Sequence, residues 1–300
     1  MLRAAAGARS GKLRIAPHAH FPRGLIAQIA SRILCESDEF SYRFIVLPRL
    51  AVRIHGMTWS IVARDATGAF GIAIASRFFA VGALCPHAQS GVGALSTQAL
   101  VNPLYGARGL ELMARGMAAP EVLQSLIGAD EGRDNRQLHL IDAAGRIAAH
   151  TGSACIDWCG HLAGVGYSVA GNMLAGPQVI RATAAAFEHN MDLPFAERLI
   201  AALEAGEAAG GDKRGKQGAA LIIHTTEEYP FLSLRVDDHE DPLAELRRLH
   251  DKSLERYQPF VSCLAGHARP AGITDRALIE ATIERFNAGR IERTERKADR

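Results

Sequence analysis

The most reactive arrangement in the sequence is Met57-Thr58, where a chain starting at Met57 would lose its methionine and expose a threonine. The α-amine of Thr58 would then have a reference pKa of about 7.7–8, which suits a general base near neutral pH. The hydroxyl of the same residue is a nucleophile that needs such a base. Thr58 would carry both groups of an amide-cleaving centre, although many proteins begin with Met-Thr for no catalytic reason.

A second candidate is the glycine-flanked loop Gly210-Gly-Asp-Lys-Arg-Gly-Lys-Gln217, which precedes an apolar strand. Glycines let the backbone approach a ligand, and Arg214 or Lys213 could bind its carboxylate. Asp212 belongs to the same candidate substrate-binding group. The alternative is a flexible, solvated connection, because charge runs usually face water.

Two other polar residues lie where strands are predicted to end. Asn172, in Gly171-Asn-Met-Leu-Ala-Gly176, is expected at a sheet edge near a helix N-terminus, where it would either donate to an oxyanion or cap a turn. Arg77 follows the second predicted strand and would hold a substrate carboxylate or keep a nearby amine neutral by repulsion. A surface arginine after a strand is the other interpretation of Arg77.

Zinc is a weaker hypothesis. Cys155 and Cys159 precede His161, and thiolate and imidazole are the ligands that zinc prefers. A structural zinc site needs four ligands, and the sequence has no second close pair of cysteines. Buried thiols in a loop explain the pattern better, so we predict neither a metal nor a cofactor.

Composition excludes several classes of protein. The chain has 300 residues, 34 basic and 32 acidic side chains and a net charge of +2, which is too little to hold nucleic acid or acidic lipid. Five scattered cysteines indicate reduced thiols in a cytoplasmic protein. Residues 78–107 contain no charged side chain, but polar residues and prolines interrupt them, so they predict buried chain and not a membrane span.

The chain divides into three predicted parts. Residues 1–56 contain nine Lys and Arg against three acidic residues and lack sustained periodicity, which indicates an over-long gene model with a start at Met57, or else a transit peptide. Residues 57–240 form the predicted main domain. Residues 241–300 are expected to be C-terminal helices and a charged, solvated tail.

Within the main domain, hairpins alternate with pairs of helices. The predicted strands include Thr58–Arg64, Phe70–Ser76, Ala80–Leu84 and Val92–Ala99, and prolines at 103, 120, 177, 194 and 242 mark helix starts. A long helix is predicted from Asp241 to about Cys263. Antiparallel hairpins separated by helix pairs favour two stacked sheets flanked by helices, which is a four-layer αββα sandwich of the α+β class.

Several segments resemble the domain of unknown function 1028 family. They are Met57-Thr-Trp-Ser-Ile-Val-Ala-Arg-Asp65, Gly71-Ile-Ala-Ile-Ala-Ser-Arg-Phe-Phe-Ala-Val-Gly-Ala83, Ser96-Thr-Gln-Ala-Leu-Val-Asn-Pro103, Ala149-His-Thr-Gly152, the Asn172 segment and the glycine-rich loop. That family is grouped with the N-terminal-nucleophile hydrolases, so the resemblance implies the same αββα fold and amide cleavage by an N-terminal Thr, Ser or Cys.

The sequence therefore predicts an amidohydrolase for a small peptide-like or N-acyl compound. Thr58, Arg77 and Asn172 are its expected catalytic residues, and Thr97, Asn102 and His150 are expected to line the site with the glycine-rich loop. A small-molecule substrate and a second copy of the chain are the expected partners, without nucleic acid or membrane. The alternative is a non-catalytic αββα domain that binds a small ligand or serves as an oligomeric scaffold.

Overall fold

The computed structural model describes residues 58–211 and 215–298, so the predicted extension at residues 1–56 lies outside the described residues. Within these described ranges, ten strands form two sheets. The strands are β1 (Thr58–Arg64), β2 (Phe70–Ser76), β3 (Pro86–Gln89), β4 (Gly93–Ala99), β5 (Arg136–Asp142), β6 (Ile147–Thr151), β7 (Trp158–Gly164), β8 (Tyr167–Leu174), β9 (Gly218–His224) and β10 (Leu232–Val236).

Seven α-helices connect and follow the strands in the described part of the chain. They are α1 (Leu104–Ala114), α2 (Ala119–Gly128), α3 (Pro177–His189), α4 (Phe195–Ala208), α5 (Pro242–Glu255), α6 (Tyr257–Val261) and α7 (Arg276–Ala298). Among these helices, none combines the length and the apolar character needed to cross a membrane.

Every pairing within the two sheets is antiparallel. The six-stranded sheet has the order β10-β9-β2-β1-β8-β7, and the four-stranded sheet has the order β3-β4-β5-β6. The sheets contact each other through Val62, Phe70 and Ile72 on one side and Ala94 and Ile141 on the other. Strand β1 is central in the larger sheet, so both of its backbone edges are hydrogen-bonded.

Helices cover the outer face of each sheet. Helices α3 and α4 bury Trp59 and Ile61 of β1 in the largest apolar core, and α5 joins that core through Leu243 and Leu246. Helices α1 and α2 cover the four-stranded sheet around Leu95, Leu138 and Leu140. The predicted αββα sandwich of two antiparallel sheets is confirmed.

The structure differs from the sequence prediction in a few elements. Ala80–Leu84 was predicted as a strand, but Val81–Ala83 is a short 3-10 helix that follows Ala80 at φ 53°. The predicted helix to Cys263 breaks at Arg256 (φ −144°), between α5 and α6. Strands β3 and β7 were missed because β3 begins with proline and β7 carries two glycines and mixed exposure, both features of edge strands.

Strand alternation decides which residues face which layer. Side chains point to opposite faces in turn, so Trp59, Ile61 and Ala63 face the helices while Thr58, Ser60 and Val62 face the other sheet. Helix α4 approaches β1 closely at Gly206, where an added Cβ would lie 2.3 Å from Thr183 Oγ1 and 2.9 Å from Trp59 Nε1. A glycine here lets the helix rest directly on the buried indole.

Replacing Gly206 with alanine should therefore destabilise the fold. Overpacking a dense core costs about 1–3 kcal/mol, which outweighs the gain of up to about 1 kcal/mol from helix propensity. Urea unfolding measures the change. The control is Gly128→Ala at the end of α2, where an added Cβ meets nothing within 4 Å. That variant should be neutral or stabilised, and equal stability losses in the two variants would contradict the packing argument.

Candidate functional site

Thr58 lies at the start of β1 between two polar neighbours. Its backbone pairs with Ser76 on β2 and with Asn172 on β8. Its Oγ1 lies 3.0 Å from Ser76 Oγ, and only 4% of the residue is exposed. The hydroxyl of Thr58 therefore enters the space between the sheets at the end of the sandwich where β2 and β8 terminate.

Thr58 belongs to a buried group of polar side chains between the two sheets, which we call the inter-sheet polar layer. All of its members are buried and lie on five neighbouring strands. They are Thr58, Ser60, Ser76, Ser96, Gln98, Gln137, His139, Ser168 and Asn172. Buried polar groups are costly unless hydrogen-bonded, so the bonds of this layer govern how the sheets stack.

Gln137 is the centre of the layer. Its Oε1 accepts from Gln98 Nε2 at 2.7 Å and from Asn172 Nδ2 at 3.0 Å. Its own Nε2 donates to the carbonyl of Gly171 at 2.9 Å and to Thr151 Oγ1 at 2.9 Å. One amide therefore joins β4, β5, β6 and β8, and it fixes the orientation of the Asn172 side chain.

Asn172 also contacts the nucleophile candidate itself. Its Nδ2 lies 3.4 Å from the carbonyl oxygen of Thr58, which is a long hydrogen bond. The sequence placed Asn172 at a sheet edge, and this is wrong, because β7 pairs beyond β8 and encloses it. The residue lies near the end of a strand but inside the sheet.

A histidine lies deeper in the layer, between two serines. Ser60 Oγ donates to Gln98 Oε1 at 2.7 Å, so it accepts from His139 Nε2 at 2.8 Å. His139 Nδ1 then accepts from Ser168 Oγ at 3.1 Å. Burial, and to a smaller extent the nearby His161, lowers the pKa of His139 to about 3, so the ring is neutral. His139 contacts Ser60 and Ser168, and no hydrogen bond joins it to Thr58.

A small cavity adjoins Thr58. Its volume is about 20 Å³, which is room for one water-sized group. Its lining is formed by Thr58, Phe78, Cys85, Gln98, Ala99 and Val101. Burial raises the pKa of the Cys85 thiol to about 12, so the lining carries no charge.

Two residues next to members of the inter-sheet polar layer have strained backbones, and one of them, Ala99, lines this cavity. Ala99 has φ 67° and Met173 has φ 57°, a left-handed conformation that costs a residue with a Cβ about 1–2 kcal/mol. Each directly follows a member of the inter-sheet polar layer, Gln98 or Asn172. Such strain concentrates at functional sites, which supports this end of the sandwich as the site.

The glycine-rich loop is anchored on both sides of Thr58. The carbonyl of Gly211 accepts from Ala175 N at 3.2 Å, just beyond β8, and Gln217 N donates to the carbonyl of Ser76 at 2.9 Å. Arg77 is exposed, and its Nη1 would lie 3.6 Å from a Cβ added at Gly215. Three predicted substrate-binding residues of this loop lie outside the described residues: Asp212, Lys213 and Arg214.

One cation of the loop has a structural role. Lys216 Nζ lies 2.8 Å from Asp241 Oδ1 and 3.4 Å from Glu207 Oε1. Its hydrogen bond to Asp241 and the charges of both carboxylates, acting against burial, raise the pKa of the lysine. Lys216 therefore ties the end of the loop to α4 and to the start of α5.

The structure does not bring Thr97, Asn102 and His150 together with Thr58. Thr97 and His150 both pair with Leu138, whose side chain is buried under α1 and α2, so they share the helix-facing side of the sheet. Thr97 Oγ1 bonds to the backbone of Asn102, and Asn102 Nδ2 donates to Asp130 at 3.0 Å. His150 Nε2 lies 3.0 Å from the carbonyl of Arg133.

The residues considered as zinc ligands hydrogen-bond to other groups of the protein. Cys155 Sγ donates to the carbonyl of Arg136 at 3.5 Å, and His161 Nδ1 lies 2.9 Å from Thr151 Oγ1. Burial raises the pKa of the Cys155 thiol to about 11 and also raises that of Cys159, so both are neutral thiols in this arrangement.

Sequence reasoning missed most of the inter-sheet polar layer. The signal was present as polar residues two positions apart in predicted strands, namely Thr58 and Ser60, Ser96 and Gln98, and the pair of Gln137 with His139. Such spacing places both residues on one face of a strand. The sequence did not show whether this face meets the helices or the second sheet, because that depends on how the sheets stack.

Comparison with known proteins identifies the family. The model of a family of unknown function, DUF1028, matches residues 58–246. The chain belongs to the DUF1028 family. A DUF1028 protein from Silicibacter pomeroyi with a crystal structure is 31% identical, with a TM-score of 0.68 over 73% of this chain and 96% of that chain. The resemblance inferred from the motifs is confirmed.

A more distant solved structure is Anbu (ancestral beta-subunit) from Yersinia bercovieri, which is 15% identical over 65% of this chain and 94% of that chain. Its TM-score of 0.31 is too low to support an inference about this DUF1028 protein. No curated protein matches the chain.

The buried His139 predicts acid sensitivity. In the unfolded chain His139 takes up a proton near pH 6.5, but in the folded protein it does so only near pH 3. The free energy of unfolding therefore falls as pH drops between these values, because protons bind preferentially to the unfolded state. From pH 7 to pH 5 this histidine should account for a loss of about 2 kcal/mol in the free energy of unfolding.

Urea unfolding at pH 7 and pH 5 tests this prediction, and His139→Gln should show a smaller loss of stability on acidification. His189→Gln, at an exposed site in α3, should retain the full loss; a similar decrease in both variants would rule out His139 as the source.

Proposed function

We propose that this domain is an N-terminal-nucleophile amidohydrolase that acts on a small peptide-like or N-acyl compound without a cofactor. The observation that carries the proposal is the position of Thr58, at the start of a central strand, with its hydroxyl 3.0 Å from that of Ser76 within the inter-sheet polar layer. The cavity beside it and the strained residues around it support the same site.

In this mechanism Thr58 supplies both the nucleophile and the base. Its Oγ1 attacks the amide carbonyl while its own α-amine takes the hydroxyl proton and passes it to the leaving nitrogen. The C–N bond breaks and an ester forms on Thr58, which water then hydrolyses with the same amine as base. Ser76 Oγ, at 3.0 Å, would hold the attacking hydroxyl in one rotamer.

Asn172 is the proposed oxyanion donor. Its Nδ2 has two hydrogens, of which one is committed to Gln137 Oε1 at 3.0 Å. The other makes only the 3.4 Å contact with the carbonyl of Thr58, which a developing oxyanion could replace with a shorter bond. Gln137 would then act as a positioning residue for Asn172.

Arg77 and the glycine-rich loop form the proposed anchor for a substrate carboxylate. Arg77 directly follows Ser76, the cross-strand partner of Thr58, and its guanidinium lies toward Gly215. The described ends of the loop are attached on both sides of Thr58, so a carboxylate bound by Arg77 would lie beside the nucleophile. Asp212, Lys213 and Arg214 belong to the same proposed anchor.

The mechanism requires a free amine on Thr58, and this defines its first test. Intact-mass analysis of the purified protein reads the N-terminal residue. In a chain that starts at Thr58, Thr58→Ala should abolish amide hydrolysis, whereas Thr58→Ser should keep part of it because a hydroxyl remains beside the amine. The rate should fall as pH drops through the pKa of the amine, near its reference of about 7.7–8.

Residues placed ahead of Thr58 should be as damaging as the alanine change, since an amide nitrogen is not a base. Circular dichroism should show that all variants remain folded. An extended chain with an internal Thr58 that hydrolyses the same amide at an unchanged rate would falsify the mechanism. A correctly processed chain that binds amides without turnover would favour the non-catalytic ligand-binding alternative.

The loop generates a second prediction, for which Lys216 is the matched control. Arg214→Ala should weaken binding of a carboxylate-bearing substrate by about 1.5–3 kcal/mol, the range of charge-assisted hydrogen bonds, with little change in unfolding free energy. Lys216→Met should instead lower thermal stability, because it leaves Asp241 and Glu207 without their cation. Calorimetric titration and thermal melts separate the two effects, and a reversed pattern would contradict the assignment.

A further inference from the structure

Large apolar side chains are exposed around the cavity at Thr58. Phe79 is 61% exposed, Leu100 is 59% exposed and Leu84 is 36% exposed. Each is covalently next to a residue that lines the cavity, respectively Phe78, Val101 and Cys85. Consecutive Cα atoms are about 3.8 Å apart, so each of these three exposed residues lies close to the lining of this cavity. We call Phe79, Leu84 and Leu100 the apolar rim.

The segments that carry the rim are held against one another. Phe78 and Val101 pack on the apolar cluster that contains Cys85. The backbone also joins them, because Thr97 N donates to the carbonyl of Cys85 at 3.0 Å. Folding has therefore gathered the rim from the loop after β2 and the loop after β4, and contiguous exposed apolar surface of this kind often marks a binding site.

The chain segments that carry the rim have no charged side chain of their own. From residue 78 to residue 107 the sequence contains no Asp, Glu, Lys or Arg. One cation from another strand reaches the rim, because Arg136 Nη1 donates to the backbone carbonyl of Leu100 while its Nε pairs with Asp130. Arg77 lies toward Gly215 and the glycine-rich loop. A ligand that contacts the side chains of the rim meets hydrocarbon, and a charged group placed against them would lose hydration there.

From these observations we infer that the substrate carries an apolar acyl group, which lies against the rim of Phe79, Leu84 and Leu100 while its scissile carbonyl meets Thr58. This inference rests on the proposed amidohydrolase function. The cavity of about 20 Å³ holds a group the size of a carbonyl oxygen but no hydrocarbon chain, so the chain must extend outward across the rim. The polar end of the substrate would lie toward Arg77.

The test uses the full-length chain with Thr58→Ala, so that binding is measured without turnover. The probes are uncharged N-acyl glycinamides with acetyl, butanoyl, hexanoyl and octanoyl chains, titrated by calorimetry. Affinity should rise about two- to fourfold for each methylene that reaches the rim. A succinyl glycinamide, which ends in a carboxylate, should bind at least tenfold more weakly than the butanoyl compound of equal chain length.

Matched variants locate the effect. Adding Phe79→Ser and Leu100→Ser should abolish the dependence on chain length, and the exposure of both side chains makes these changes compatible with folding. Val165→Ser should leave the dependence intact, because Val165 is fully exposed in the turn between β7 and β8, at the other end of the strand that carries Asn172. Melting temperatures should be alike in all variants.

Other outcomes would overturn the inference. They are an affinity that does not vary with chain length, or a dependence that survives in the rim variant. If the affinity does not vary and the rim variant also turns a dimer into a monomer by sedimentation, the rim is an interface between copies and not an acyl site.

Turnover of the same amides by a chain that starts at Thr58 separates the two proposals. Binding that depends on chain length without any turnover refutes the amidohydrolase and keeps the apolar site. Equal kcat/KM for acetyl and hexanoyl amides keeps the amidohydrolase and refutes the acyl site.

Discussion

The stacking of the two sheets depends on the hydrogen bonds of Gln137. Sheets in a sandwich usually meet through apolar side chains alone, and here Val62, Ile72 and Ile141 do so at one end. At the other end the side-chain amide of Gln137 accepts hydrogen bonds from Gln98 and Asn172. The same amide donates a hydrogen bond to the backbone of the neighbouring sheet. Because an unpaired buried polar atom costs about 1–3 kcal/mol, a strand shifted by one residue would lose several of these bonds together. The layer therefore specifies register where the candidate nucleophile lies.

This constraint links folding to the geometry of the site. Thr58 has no freedom of its own, since both edges of β1 are paired and its side chain contacts Ser76. The same network leaves Ala99 and Met173 in left-handed conformations, and the surrounding bonds stabilise that strain. A neutral His139 completes the layer without introducing a charge between the sheets. Rigidity of this kind is what preorganised catalysis requires.

The layered fold was predictable from sequence because it depends on local signals. Alternation identified most strands, prolines at 177, 194 and 242 marked helix starts, and the hairpins implied antiparallel sheets. Thr58 and Asn172 were both chosen from recognisable segments, and the structure brings them together as cross-strand neighbours. Thr97 and His150 were expected to line the site, but they share the helix-facing side of their sheet with Leu138, and alternation alone does not say which side of a strand meets the second sheet. The role of Gln137 depends on side chains from four strands, and no local pattern contains that information.

The uncharged surroundings of Thr58 serve two steps of the proposed mechanism at once. Burial disfavours the charged form of an amine, so a lining without carboxylates would keep the α-amine of Thr58 neutral and able to accept a proton. On the acyl side of the proposed substrate, Phe79 and Leu100 present hydrocarbon side chains. Arg77 lies toward Gly215, and there it would orient the leaving group. A substrate that is apolar at one end and charged at the other would thus be bound in a single direction across the nucleophile.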